Sequence, residues 1–329
     1  MIKYLLPLDS KYYKANLHSH TTVSDGEFTL EKSKNDYMAH GYSVVAYTDH
    51  DKFVTHEDMC DENFVALNGF ELEYDKNNIE SPTCHLCFIS KDQNKTDTLD
   101  KTRLYHIPKK ERPYDFDYIN ADIALGKEEG FFVTYNHPSW SLQHYPDYSQ
   151  LHGMDAMEIS NYNAIVGGYN DDNGRVYDDF LELGQKLYCI AADDNHNRTP
   201  EDGPYYDSFG GYVQIAAKEL NYKSIIDSLE AGYFYTCATI NPGTHGCPTI
   251  KNLWVEDGAK LHVEVEDAVN VIVIKDLRHF GIETYDGKSP LTSCDFNILG
   301  CNWFRVVVTG FNGNKTCSNA FFTADLKSK

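Results

Sequence analysis

The chain has 329 residues, of which 41% are hydrophobic and 13% aromatic, enough for a large core and incompatible with global disorder. Its 29 Lys and Arg against 50 Asp and Glu leave a net charge of −21 with no basic run to offset it, which disfavours nucleic-acid polymers and other large polyanions as partners. No apolar run approaches membrane-spanning length, and Tyr4–Leu8 is too short for a signal peptide, so a cytoplasmic protein with no membrane partner is expected.

Over about the first 240 residues, short β-type runs alternate with amphipathic helical stretches. The predicted strands are Lys14–Leu17, Ser43–Tyr47, Phe64–Glu73, Thr83–Ile89, Phe131–Tyr135, Met154–Ile159 and Leu187–Ala191, with Val213–Ala216 as an additional one. Helices are predicted over Thr29–His40, with Thr29 as its cap, and over Ile119–Glu129 and Val176–Gly184. Gly41, Gly130 and Gly184 stand where left-handed helix stops are common. Lys91–Pro113 reads as a long loop or helical excursion near the site rim, and Asn161–Tyr177 as another rim loop. Strand–helix alternation of this length favours a parallel sheet or barrel.

The texture changes after Ala231–Tyr235 and the turn Asn241–Thr244. Lys260–Glu266, Asn270–Lys275 and Trp303–Thr309 alternate with period 2, Phe311–Asn314 contains a hairpin-type turn, and no helix is predicted there. The expected organisation is α/β: residues 1–242 form the catalytic unit and residues 243–329 a small antiparallel β domain. The nine cysteines lack a disulfide framework; Cys84 and Cys87 point to opposite faces of a strand, which suits neither zinc nor redox chemistry.

Imidazoles and carboxylates recur at or near the ends of these strands. His18 and His20 are two apart, on one face of a strand, and Asp25 follows closely. His50 lies between Asp49 and Asp51 after an apolar run, where either aspartate would orient its ring. Glu71 sits late in a β run, with Glu73 on the same face as the competing carboxylate. His85 is early in an apolar strand, where a buried, satisfied histidine is the plain reading. His137 precedes Pro138 at a strand end, and Asp194 and His196 close another. Such a cup suits borderline divalent cations, which generate hydroxide from water at neutral pH. Glu71, Asp194 and His196 are the residues expected to take part in catalysis. His144, Asp49 and Asp51 are candidate proton donors, and Arg198 and Arg175 candidate phosphate contacts.

Taken in order, His18-Ser19-His20, Ser24-Asp25-Gly26, Thr48-Asp49-His50-Asp51, Gly69-Phe70-Glu71, His85, His137-Pro138 and Asp194-Asn195-His196 resemble the polymerase and histidinol phosphatase (PHP) domain family, over about residues 14–240. The β tail resembles its stand-alone two-domain members. The resemblance implies a distorted, TIM-like (β/α)7 barrel with two to three divalent ions (Zn, Mn or Fe). It implies His18, His20, Glu71 and Asp194 at a first ion, Glu71 bridging to a second with His85 and His137, and Asp25, His50 and His196 at a third. Asn195 and Cys84 depart from the alanine and glycine common at those places. The function expected is hydrolysis of a small phosphate mono- or diester by a metal-bridging hydroxide. The competing expectations are hydrolysis of an amide or carbamate, where relatives bridge their metals with a modified lysine, and a non-catalytic metal-binding module.

Overall fold

A computed structural model describes residues 1–75, 81–95, 104, 107–201, 203–241, 244 and 246–326. The predicted boundary at 242/243 and residues 96–103 and 105–106 of the predicted Lys91–Pro113 loop lie outside the described residues.

The chain opens with β1 (Ile2–Tyr4), β2 (Lys11–Asn16), α1 (Leu30–Ala39), β3 (Val44–Tyr47), β4 (Val65–Tyr74) and β5 (Cys84–Ser90). It continues through α2 (Phe116–Glu128), β6 (Phe131–Tyr135), α3 (Tyr145–Tyr148), β7 (Ala156–Asn161), α4 (Tyr162–Val166), α5 (Gly174–Glu182) and β8 (Tyr188–Ala192). There follow β9 (Gly211–Ala217), α6 (Tyr222–Ala231), β10 (Phe234–Ala238) and the C-terminal strands β11 (Thr249–Glu256), β12 (Lys260–Lys275), β13 (Arg278–Thr284), β14 (Leu291–Asn297), β15 (Trp303–Gly310), β16 (Lys315–Ser318) and β17 (Phe321–Phe322). A short α7 (Thr323–Leu326) corrects the expectation of no helix in this part.

β2, β3 and β4 are parallel neighbours, as are β6, β7 and β8. Between the two sets β5 runs antiparallel to both β4 and β6, which corrects the all-parallel expectation. The physical reason is length: residues 75–83 are too few for a crossover, which takes roughly a dozen residues or more. The reversal brings the start of β5 to the edge where β4 and β6 end. β9 is antiparallel to β2 and to β10. At the far side Asp194 N–H donates to the His18 carbonyl (2.9 Å) and His20 N–H to the Asn195 carbonyl (3.0 Å), joining the chain past β2 to the chain past β8.

Strand alternation divides the core. Val44 and Ala46 of β3 join Ala15, Val65, Ile89 and Ile190 in one apolar cluster, while Val45 and Tyr47 face another with Tyr37 and Phe64. Buried on both faces, β3 reads as an unbroken apolar run. Thr29 caps α1 by accepting from Lys32 N–H, as predicted, and Gly41, Gly130 and Gly184 adopt φ of 78°, 83° and 80°.

The two predicted strands Lys260–Glu266 and Asn270–Lys275 are one long strand, β12, with register shifts on its β14 and β15 sides near Ala268. β12 pairs with β11, β13, β14 and β15, and β16 completes the predicted hairpin with β15. This antiparallel layer is hydrogen-bonded to the rest through β10–β16, and β1 joins it by pairing with β11. The predicted rim loop Asn161–Tyr177 is partly helical, because Asn161 caps α4 by accepting from Ala164 N–H. None of the nine cysteines forms a disulfide. Among the described residues no helix is long and apolar enough to cross a membrane.

Candidate metal centre

The nine predicted ligand residues converge at one end of the β2–β8 array. Asn16, the last residue of β2, fixes the arrival of two of their segments: its Oδ1 accepts from His18 N–H (3.3 Å) and from Asp193 N–H (3.0 Å). Several of the turns that follow use left-handed backbone, with φ of 55° at Asp51, 28° at His137 and 53° at Asp194. Such conformations cost energy away from glycine and are tolerated where the surroundings hold them. At His137 the hold is Glu158, whose Oε2 accepts its backbone N–H at 2.8 Å.

Four groups form the innermost set. His18 Nε2 and His20 Nε2 are 3.1 Å apart, and Glu71 Oε2 lies 3.3 Å from each. Asp194 Oδ1 is 3.2 Å from His18 Nε2 and 3.1 Å from His20 Nε2. Four ligands about 2.0–2.1 Å from one cation stand about 3.3 Å apart in a tetrahedral shell, so this spacing fits a divalent ion. The other carboxylate oxygen, Glu71 Oε1, faces His85 Nδ1 at 3.1 Å and His137 Nε2 at 3.5 Å. His20, Asp25, His50 and His196 form a further group that could hold an ion. There the His20 ring is stacked between His50 (4.4 Å) and His196 (4.3 Å), and Asp25 Oδ2 is 3.4 Å from His196 Nε2. Histidine 20 thus stands between two groups, where the resemblance had given it to one.

The electrostatics ask for cations. Burial alone would raise the Glu71 carboxyl pKa, but His18, His85 and His50 around it hold it well below the carboxylate range. Asp194 is lowered in the same way against its own burial, chiefly by His18 and His20. Burial works to strip protons from the histidines; instead Asp194 and Glu71 lift His20 to about 9, and Glu71 and Glu73 lift His85 to about 10. His50 goes the other way, to about 3, through burial and the charge on His20. Protons on imidazole here supply positive charge that a bound cation would otherwise supply. Glu71 Oε2, which faces His18 and His20, is buried without a hydrogen-bond partner, as are His20 Nδ1 and His85 Nε2 on the opposite sides of their rings from those contacts.

The two candidate carboxylates differ in position. Glu71 is 1% exposed among the imidazoles, whereas Glu73 sits two residues along at the rim, 3.6 Å from His85 Nε2 and paired with Lys109. Asp49, expected as a proton donor or as the partner of His50, does neither. Its oxygens accept from Thr21 N–H (2.8 Å), Thr21 Oγ1 (2.9 Å), Ser24 N–H (3.1 Å) and Ser24 Oγ (2.8 Å). It anchors the turn that presents Asp25, and Gly26 completes that turn, because a Cβ there would meet the His20 carbonyl oxygen at 2.6 Å. Asp51 is bound to the buried Arg112. Arg198 reaches the centre, with Nη2 2.5 Å from Asp25 Oδ2. Arg175 does not: it pairs with Asp179 on α5 (2.8 Å) and lines a separate cavity of about 350 Å³ against β12 and β15. His144 caps the short α3 through its backbone N–H, donating to Asp147 Oδ2 at 3.0 Å, and is exposed.

Three residues that the sequence reading passed over complete the site. Glu158 on β7 is fully buried; its Oε1 is 2.7 Å from His18 Nδ1, which turns the opposite nitrogen toward the centre. Asp207 accepts the backbone N–H of His196 at 2.7 Å. Trp140 packs edge-on against His85 (5.4 Å) and His137 (5.0 Å). The two departures are accommodated. Asn195 is buried in a network with Tyr37, Asn16 and Asn197, and Cys84 lies in regular pairing opposite Tyr74.

No protein-family profile matches the sequence, and no curated protein matches it. Among solved structures, a two-domain protein from Bacteroides vulgatus, described as containing a predicted PHP-like metal-dependent phosphoesterase, is similar over 96% of this chain and 98% of its own, at 16% identity and a TM-score of 0.51. A proposed metal-dependent phosphoesterase from Bifidobacterium adolescentis covers 57% of this chain and 90% of its own (16% identity, TM-score 0.39). An amidohydrolase from Chromobacterium violaceum covers 55% of this chain and 87% of its own (15%, 0.35). The chain shares its fold, across both the α/β part and the antiparallel β part, with the two-domain PHP-like protein.

Proposed function

We propose that this chain is a metal-dependent phosphoesterase that hydrolyses a small phosphate mono- or diester. The observation that carries the reading is Glu71, a buried carboxylate whose two oxygens face different sets of imidazoles, as a residue bridging two cations must. His18, His20, Glu71 and Asp194 would hold the first ion; Glu71, His85 and His137 the second; Asp25, His50 and His196 the third. Zn, Mn and Fe all suit this donor set. Bound cations supply activated water and neutralise charge on the phosphoryl oxygens.

The chain's own residues do the rest. Glu158 fixes the tautomer of His18 and the turn at His137 together, so two groups keep their spacing. Arg198, at the rim beside Asp25, offers a guanidinium to a phosphate oxygen. Glu71 in the bridging role supports a phosphate over a carbonyl substrate, since the carbonyl-cleaving enzymes that the resemblance brings in often bridge their metals with a modified lysine instead.

The same reading takes the β2–β9 array as a distorted (β/α)7 barrel. Supporting this, one apolar cluster draws residues from β2 through β9, and the His18–Asp194 and His20–Asn195 bonds return its last parallel strand toward its first. It divides the chain at 242/243 into a catalytic unit and a β unit and places the protein in the cytoplasm. The test is elemental analysis of purified protein paired with phosphate release from a panel of mono- and diesters. Roughly two to three equivalents of Mn, Fe or Zn with chelator-sensitive release is the expected outcome. Bound metal without release from any ester overturns the phosphoesterase reading, and no metal under any loading condition overturns the site.

A further inference from the structure

We propose that the cavity between α5 and strands β12 and β15 is a second small-molecule site, separate from the metal centre, and that it takes a small aliphatic carboxylate. Its volume of about 350 Å³ is that of a small-ligand pocket. β7 divides the two sites: Glu158 points to His18, whereas Ile159, the next residue, lines the cavity. Ile272, Ile274, Leu277 and Val307 extend the apolar wall, and Arg175, Arg305, Lys315 and His279 supply basic groups. Two carboxylates also line it, and both are engaged, Asp172 by Lys315 and Asp178 by Arg305. Two arginines and a lysine against two carboxylates invert the balance of a chain with 29 basic and 50 acidic residues.

Two observations aim this charge at an anion. The first is Arg305, which is 3% exposed. Its Nε and Nη2 bond the Asp178 oxygens (2.6 and 3.1 Å), and Nη2 also reaches the Gly174 carbonyl (3.3 Å). Nη1 has no hydrogen bond among the described residues and is left to offer its donors to an oxygen held in the cavity. The second is the start of α5, where Gly174 and Arg175 line the cavity. The N–H groups of a helix's first turn have no partner within the helix. Asn173 at the N-cap makes no side-chain bond to them, because its Oδ1 accepts from Ser139 Oγ (2.7 Å). The turn holds no acidic residue and carries Arg175 instead. Helix dipole and side chains together favour an anion there. A carboxylate on an aliphatic chain satisfies the basic groups and covers the apolar wall at once, which a bare inorganic anion does not.

The test is calorimetric titration of the metal-loaded full chain with hexanoate, its neutral counterpart hexanamide, and acetate, which lacks the chain. Hexanoate should bind at one site with a Kd of about 1 mM or tighter, and the other two at least about tenfold more weakly. Val307→Trp fills the cavity and should abolish hexanoate binding with metal content unchanged. Arg175→Glu should weaken hexanoate about tenfold without harming the fold, since an acidic side chain in the first turn of a helix is stabilising; it decides the matter alone if Val307→Trp does not fold. Glu71→Gln should leave hexanoate binding as in wild type. No hexanoate binding by wild type, equal binding of hexanamide or acetate, or undiminished hexanoate affinity in either folded cavity variant overturns the site. Loss of hexanoate binding in Glu71→Gln would move the carboxylate to the metal centre and overturn it likewise, and none of these outcomes touches the phosphoesterase reading.

Discussion

The strand ends of the α/β part and the antiparallel C-terminal layer both bury polar side chains, and they treat them in opposite ways. In the C-terminal layer the buried groups are paired. Arg305 makes two contacts to Asp178, Asn319 donates to the Gly232 and Phe234 carbonyls and accepts from Cys189 N–H, and Asn314 bonds Ile240 N–H and the Gly246 carbonyl. At the metal centre His20 Nδ1, Glu71 Oε2 and His85 Nε2 are left without partners, and among the described residues no buried orphan atom lies beyond Asn173. Ser33 Oγ, Tyr42 Oη, Asp171 Oδ1 and Asn173 Nδ2 in the α/β part are likewise buried without partners, so the contrast is between the whole α/β part and the C-terminal layer, and the metal-ligand cluster is its densest portion.

Glu71→Gln attacks the unsatisfied side of that contrast most directly. It should lower turnover by about a thousandfold or more, with loss of bound metal by elemental analysis, because one carboxylate serves two groups. Glu73→Gln, at the rim, should cost less than about tenfold, and the reverse ranking would mean the carboxylates were misassigned. Arg305→Met attacks the satisfied side. It leaves Asp178 buried and unpaired and should cost about 3–5 kcal/mol in denaturant unfolding while metal content stays unchanged.

Metal removal combined with pH sharpens the contrast further. In the metal-free protein His20 and His85 have folded pKa values of about 9 and about 10, above the ordinary histidine value of 6.5. Their contribution to stability is therefore full below pH 6.5 and is lost as pH rises through 9 to 10. His50, lowered to about 3, acts only on the acid side of 6.5 and does not offset this. Thermal melts of chelated protein should fall across the alkaline window, whereas metal-loaded protein should hold its melting temperature there; parallel curves would contradict the picture. The smallest effect compares two arginines. Arg198→Ala should raise KM several-fold, and Arg175→Ala should leave kinetics unchanged and cost no more than about 1 kcal/mol, because Arg175 is exposed and the buried Asp179 keeps its bond from Tyr148 Oη.

Much of this site could be read from local sequence, because ligating residues that follow apolar runs declare themselves. Phe131–Tyr135 coincides with β6, and His137 stands just beyond it. Glu158 did not declare itself: it sits inside an apolar strand, and its partner His18 is 140 positions away. Trp140 reads as one more aromatic until the turn places it over two histidines. His85 lies early in its strand, and it reaches the strand-end site because β5 runs antiparallel to β4 and β6. The signal was present, however, since residues 75–83 leave no room for a crossover helix. Asp49 misled for the opposite reason: flanking a histidine in sequence says nothing about where a short side chain points, and here it turns back to the Thr21–Ser24 loop.

β10 pairs with β9 on one side and with β16 on the other, while the chain's first strand is stitched to β11. Any seam near residue 242 is therefore a seam in sequence and not in mechanics. A fragment cut there would keep every candidate ligand of the centre yet expose the bare edge of β10 and strand β1 without its mate, inviting intermolecular pairing. The two parts are better regarded as one woven fabric than as exchangeable modules, so swapping the tail between relatives would mean re-weaving both of its selvedges.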